Sequence, residues 1–165
     1  MIILDTNVVS EPLKPAPELA VLDWLNAQEP QTLYLTTVNL AELLAGIEAM
    51  PVGRRRTELG SALAGQIMPL FEGRVLAFDR PAAEAFARIN ASARAAGNPI
   101  SFADGAIAAI ASAHGFMVAT RNVRDFKGTG VEIDYSTHSF CCRLSFCVFE
   151  TCGCMVVWAA IYREQ

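Results

Sequence analysis

Met1 to Val9 reads MIILDTNVV: an apolar run from the first position, cut by Asp5, then the small polar pair Thr6 and Asn7, then apolar residues again. Apolar run, carboxylate, turn chemistry and a second apolar run make the pattern of a buried strand that ends in a loop. In an open parallel sheet, ligands sit in the crevice beyond the carboxyl ends of the strands, so Asp5 is expected at its lip. A carboxylate there can hold a metal ion. Equally, Asp5 can make an Asx-turn or cap the helix that follows, and the stretch by itself does not separate the two.

Working outward, Pro17 opens a helical segment whose apolar residues Leu19, Val21, Leu22, Trp24 and Leu25 cover one face, and Pro30 closes it. Leu33 to Thr36 reads as a short strand. Thr37 is placed to cap a helix running through Leu40, Leu43, Leu44 and Ile47, with Glu42 among these apolar neighbours. Arg54, Arg55 and Arg56 precede a helical stretch through Leu59, Leu63, Ile67 and Leu70, and Arg74 to Phe78 is a strand. This arginine run is the densest positive charge in the chain, a pattern usual for a solvated face. Pro81 starts an Ala-rich helix from Ala82 to Ala96, ended by Gly97. Ser101-Phe102-Ala103-Asp104 leads into a helix through Ile107, Ala108, Ile110 and Ala111 that stops at Gly115. Phe116 to Ala119 form a strand, Thr120 to Asp125 the loop after it, and Val131 to Tyr135 a last strand. Strands alternating with helices predict an α/β fold, an open and mainly parallel sheet with helices on both faces.

The chain has 165 residues, 53% of them hydrophobic and 18% charged, which excludes a disordered class and suits one domain with a proper core. Its 13 Lys and Arg against 17 Asp and Glu give a net charge of −4, which argues against binding to nucleic acid through a general basic surface. Nucleic-acid contacts have to be local or bridged by metal. The apolar start meets Asp5 before any basic segment or long apolar run, so no secretory signal and a cytoplasmic location are expected.

Four acidic positions fall on one edge of this scheme: Asp5 after the first strand, Glu42 beyond the second, Asp104 in the first turn of a helix and Asp125 after a later strand. Taken singly, Ser101 with Asp104 is a capping box, Glu42 a rim residue and Asp125 a surface charge. Taken together, carboxylates sharing a pocket raise one another's pKa unless a cation compensates them. Hard divalent cations such as Mg²⁺ or Mn²⁺ do so and keep waters and phosphates in their remaining positions. Thr6, Asn7, Thr120 and Asn122 are placed to orient the carboxylates through hydrogen bonds.

The segments MIILDTNVVSE, TTVNLAELLAGIE with Glu42, ISFADGAIAAIASAHG with Asp104 and VATRNVRDF with Asp125 together resemble the PIN-domain ribonucleases, and most nearly the VapC toxins of bacterial toxin–antitoxin pairs in their FitB-like branch. The resemblance covers roughly the first 135 residues, in order and with the family's spacing. It implies an endoribonuclease that hydrolyses RNA phosphodiester bonds with a water activated by Mg²⁺ or Mn²⁺. Asp5 and Asp104 would then be direct ligands, Glu42 a further ligand or an orienter of water, and Asp125 a fourth acid, with Ser101 in support. Many family members carry an acid in the loop after the fourth strand where this chain has Asn122, with Asp125 three residues later, so a weak second metal site is expected. A homodimer silenced by a small VapB-like antitoxin is also implied, the antitoxin laying its C-terminal segment over the acidic pocket and offering an Arg to it.

Residues 1–135 are therefore expected to form the PIN-like domain and residues 136–165 an atypical tail. That tail holds all five cysteines, between Cys141 and Cys154, and has no counterpart in the resemblance. Its spacing does not fit a zinc knuckle, disulfides conflict with a cytoplasmic location, and Glu150 splits an apolar run into pieces shorter than the ~20 residues needed to span a bilayer. A frame change or cloning junction in place of the native C-terminus is the reading preferred. Among rival functions, a haloacid-dehalogenase-type phosphatase wants a second acid where Asn7 stands, and a receiver phosphoacceptor needs another order of acids. A PIN-like scaffold that binds RNA or a partner without cutting is the non-enzymatic alternative. His114, at a helix end, suits the negative dipole end better than general-base catalysis. Arg121, Arg124 and Lys127 are the candidates for contacts to a nucleic-acid backbone.

Overall fold

A computed structural model describes residues 1–134. The expected last strand ends one residue beyond them, at Tyr135, and the readings of the Cys-rich tail lie outside them. Strand β1 (Ile2–Leu4) is central in a five-stranded, all-parallel sheet of order β3-β2-β1-β4-β5. The other strands are β2 (Leu33–Thr36), β3 (Val75–Leu76), β4 (Met117–Ala119) and β5 (Ile133–Asp134). Ile2 and Ile3 register against Leu33 and Tyr34 on one side and against Met117 and Val118 on the other. The chain builds outward from β1 through β2 to β3, then returns to the opposite side of β1 with β4. The reversal opens a crevice between the carboxyl ends of β1 and β4, where ligands of open α/β sheets bind.

Both faces of β1 are buried, which explains its unbroken apolar run. Ile2 and Leu4 enter one core with Val8, Val9, Trp24, Leu25, Leu35 and Ile67, whereas Ile3 enters the other with Ala85, Ile89, Ile107, Ile110 and Val118. Helix α1 (Thr6–Val9) follows β1 directly with Asp5 as its cap, and a 3₁₀ turn (Glu11–Leu13) leads towards α2 (Leu19–Asn26). Val21, Leu22, Trp24 and Leu25 are buried as the spacing predicts, but Leu19, in the first turn, is exposed. Helix α3 (Thr37–Glu48) is capped by Thr36, one residue before the expected Thr37. The cap falls there because Thr36 and Asn39 close a reciprocal box, each side chain accepting from the other's backbone N–H.

The helical stretch expected through Leu59, Leu63, Ile67 and Leu70 is continuous, but its winding changes along its length. Helix α4 (Arg54–Ala62) passes into a π-helical turn (Leu63–Ile67), in which the Met68 N–H bonds back to Leu63, and then α5 (Met68–Leu70). Pro69 sits in this last turn; it has no N–H to continue an α-helical ladder, so the extra residue is absorbed just before it. Helix α6 (Arg80–Ala95), capped by Asp79, packs lengthwise on α7 (Phe102–His114), capped by Ser101 and ended by Gly115 in the left-handed conformation. The two helices meet at Gly105. A Cβ there would lie 2.8 Å from a Phe86 ring carbon and 3.4 Å from Ile100, so only glycine permits this approach. Among the described residues, no helix is long and apolar enough to cross a membrane.

Candidate active site

The polypeptide brings Asp5 to the crevice by ending β1 there. Its backbone N–H extends the sheet by one bond to the Ala119 carbonyl at 2.8 Å, so β1 and β4 deliver Asp5 and Thr120 side by side. Asp5 is 4% exposed. Its Oδ1 accepts the Thr6 N–H at 2.7 Å, while Oδ2 accepts from the Thr120 hydroxyl at 2.7 Å and the Asn7 amide at 2.6 Å. Asn7 is held in turn by the Arg121 N–H, which donates to its Oδ1 at 3.1 Å, and Thr120 Oγ1 accepts the Asn122 N–H at 2.9 Å. Cap and candidate ligand are thus the same residue.

Glu42, on α3, is exposed at the mouth. Its Oε2 accepts the Thr6 hydroxyl at 2.6 Å, and Thr6 Oγ1 accepts the Asn39 amide at 2.9 Å. Asn39 Oδ1 accepts the Thr36 hydroxyl at 2.7 Å and the Thr36 N–H at 2.9 Å. The chain Thr36, Asn39, Thr6, Glu42 ties the end of β2 to the start of α1, so Thr6 contacts two of the candidate acids. Sequence reading passed over Asn39, although an asparagine three residues after a threonine is a capping signal. Asp104 stands in the first turn of α7, its N–H donating to Ser101 Oγ at 3.1 Å and its Oδ2 accepting the Ser101 hydroxyl at 2.6 Å.

Burial first of all pushes the Asp5 carboxyl up from 3.8 to about 6; the hydrogen bonds from Thr120 and Thr6 oppose this, and the negative charges of Asp104 and Glu42 add to it. Glu42 and Asp104 are therefore both near enough for their charges to act on Asp5, and among the described residues no Lys or Arg is paired with any of the three. Asp125 is exposed in a 3₁₀ turn (Val123–Phe126) and lines, together with Asp104, an open depression of about 490 Å³ that Asp5 and Glu42 do not line. Asn122 is exposed, its backbone N–H held by Thr120.

Of the three cations expected to contact a nucleic-acid backbone, Arg121 has another task. Arg121 pairs with Glu11 at 2.8 Å and Glu18 at 2.5 Å. Burial of Glu11 would raise its carboxyl, but Lys14, at 2.6 Å, the Glu18 N–H and Arg121 outweigh that and hold it below its usual range. This ion-pair network fastens the loop after β4 to the turn after α1, beside Asn7. Sequence reading did not single out Glu11.

The donor set fits a hard divalent cation. It consists of carboxylate oxygens, those of Asp5 buried and those of Glu42 exposed, with no basic partner among the described residues. Among the described residues no three acidic, His or Cys side chains are close enough to cage an ion by themselves. One or two carboxylates with waters is the coordination Mg²⁺ ordinarily accepts.

The family model described as PIN domain matches residues 2–131. A protein of Sinorhizobium fredii named VapC ribonuclease Y4jK is 50% identical over 133 residues, covering 81% of this chain and 95% of the relative. Toxin FitB of Neisseria gonorrhoeae is 41% identical, covering 81% and 96%. The crystal structure of FitAcB from the same organism superposes with a TM-score of 0.80 at 40% identity, covering 84% of this chain and 99% of that one. The chain belongs to the PIN domain family, in the branch of the VapC and FitB proteins.

Proposed function

We propose that this protein is an endoribonuclease toxin, neutralised by a cognate antitoxin, which hydrolyses RNA phosphodiester bonds with the help of Mg²⁺ or Mn²⁺. The observation that carries the reading is the convergence of Asp5, Glu42 and Asp104, without a basic partner among the described residues, at the sheet's switch point. The relatives named VapC ribonuclease and toxin FitB support it.

Asp5 and Asp104 are the residues to hold the ion. A bound divalent cation supplies Lewis acidity, lowering the pKa of an attacking water and neutralising charge that grows on the phosphate and leaving oxygen. Thr120, Asn7 and the Thr6 N–H fix the Asp5 carboxylate so that it need not reorganise. Ser101 does the same for Asp104. Glu42 engages Thr6 through Oε2, which leaves Oε1 to receive a hydrogen bond from the attacking water and orient it. The water oxygen forms the new bond to phosphorus as the bond to the leaving oxygen breaks; a proton of the water passes to solvent, the leaving oxygen takes one up from solvent, and no side chain becomes covalently attached. Asp125, facing the depression beyond Asp104, is a peripheral acid in this scheme rather than a ligand. The uncompensated charge is also what an Arg of an antitoxin would neutralise.

The test is cleavage of a mixed RNA pool by the full chain with Mg²⁺, with Mn²⁺ and with EDTA, beside an Asp5→Asn variant. Cuts that need metal and vanish in the variant are expected. Cuts that survive both controls would overturn the assignment, and a folded chain that binds RNA but cuts none would return it to a binding scaffold.

A further inference from the structure

RNA is a polyanion, and the pocket around Asp5 is acidic in a chain of net charge −4, so a local source of positive charge has to hold the strand. The described residues contain one beside the pocket. The depression of about 490 Å³ between α7 and the loop after β4 is lined by Asn98, Ser101, Asp104, Arg124, Asp125 and Lys127, among others. Its charged side chains are two acids and two bases, so it lacks the acidic excess found at Asp5.

The loop's three cations divide sharply. Arg121 is committed to Glu11 and Glu18. The Arg124 and Lys127 side chains are exposed and, among the described residues, have neither an ion pair nor a hydrogen bond. Asp125 lies between them in sequence but is not paired to either. The loop is nevertheless firmly placed. The Arg121 N–H bonds Asn7, the Asn122 N–H bonds Thr120, and Phe126 is buried in the core that Ile107 and Val118 also enter. Two unpaired cations on an anchored turn, opening onto the same depression as Asp104, have the geometry of a phosphate-positioning subsite.

We infer that Arg124 and Lys127 form a backbone-phosphate subsite for single-stranded RNA, seating the nucleotide next to the scissile phosphate while Asp104 bridges the two positions. This rests on the nuclease reading above. The subsite contacts phosphate and reads no base, so it sets affinity and register but not sequence preference. Each lost contact is expected to reduce the salt dependence of single-strand binding by about 0.7 in the log–log slope.

The experiment uses the full chain in two backgrounds. In an Asp5→Asn background, which blocks cleavage, fluorescence anisotropy with a labelled single-stranded RNA in Mg²⁺ is followed against NaCl. Arg124→Gln with Lys127→Gln is expected to weaken binding roughly tenfold and to reduce the slope by about 1.4. Arg54→Gln with Arg80→Gln removes the same charge from exposed helix positions elsewhere and is expected to leave both values near the parent's. In the native background the loop pair is expected to raise KM with little change in kcat. Equal losses in the two pairs would reduce the effect to net charge and overturn the subsite. Failure of the parent to bind, or unchanged RNA affinity in the loop pair, would also overturn it and leave these cations to an acidic protein partner. RNA binding that depends on the loop pair in a chain that never cuts would sink the nuclease reading and keep the subsite; metal-dependent cutting with an unchanged KM would do the reverse.

Discussion

Asp5 carries a conflict that its neighbours only partly relieve. Three hydrogen bonds stabilise its ionised form, yet burial dominates and leaves its carboxyl at about 6. With a folded pKa above the ordinary value, the stability that comes from the neutral form is fully present below about 3.8 and is lost as pH rises through about 6. The gap corresponds to an upper figure of about 3 kcal/mol. Denaturation of the chain in EDTA is therefore expected to show stability rising as pH falls from about 7 to about 5, with added Mg²⁺ flattening the rise. Stability that is flat or falling in EDTA over that window would contradict the burial of Asp5. Glu11 does not interfere: its lowered pKa makes its contribution present above about 4.5 and lost only below, as pH falls through its folded value. Asn39 offers a second check. It is fully buried and serves both the cap of α3 and the link to Thr6, so Asn39→Ala is expected to cost roughly 1–3 kcal/mol in thermal denaturation and to lower cleavage by releasing Glu42. At this scale the sequence shows which residue types can bear chemistry but not which of them share a hydrogen bond. Asp5 was legible because a strand pattern stops at it; Asn39 and Glu11 were not, because each gains its partner only when distant elements meet, Thr6 for one and Arg121 for the other.

Between elements, the seams that hold the site are the close contact of α6 with α7 and the ion pairs joining the turn after α1 to the loop after β4. Gly105 follows Asp104 directly, so crowding there displaces the first turn of α7. Gly105→Ala is expected to destabilise by roughly 1–3 kcal/mol, because the Phe86 ring that must yield packs against Phe78 and Phe102, and to reduce cleavage beyond what the loss of folded protein explains. Glu11→Ala leaves Lys14 and Arg121, both partly exposed, without their shared carboxylate and is expected to cost roughly 1.5–3 kcal/mol, read by chemical denaturation. A loss below about 1 kcal/mol would show that solvent replaces these pairs. Element type was legible from periodicity and from Pro, Gly and Ser punctuation, as at Gly97, Ser101 and Gly115. What failed was local. Thr36 displaced Thr37 as cap because a partner amide chose between adjacent threonines, and the helical stretch from Arg54 to Leu70 runs as expected but widens into a π-helical turn just before Pro69.

For the molecule as a whole, strand order turns a linear pattern into a site. The sheet reverses direction of growth between β1 and β4, and the crevice so formed gathers residues 5, 42, 104 and 120 from four separated stretches. The α/β class and the parallel sheet were legible because apolar strands alternate with amphipathic helices; the placement of Asp125 with Asp104, on a depression that Asp5 and Glu42 do not line, was not, because a 3₁₀ turn after β4 carries it there. The proposal that follows is that Asp5 and Asp104 hold the cation, with Glu42 beside them to orient water, and that Asp125 is not a ligand. Mn²⁺ titration of the full chain, followed by electron paramagnetic resonance, tests it most directly, beside Asp5→Asn, Asp104→Asn and Asp125→Asn. Tight binding in the parent and in Asp125→Asn, weakened at least about tenfold, or about 1.4 kcal/mol, in the other two, is the expected result. Binding that survives loss of Asp5 and Asp104, or that falls with Asp125 as steeply as with them, would contradict it.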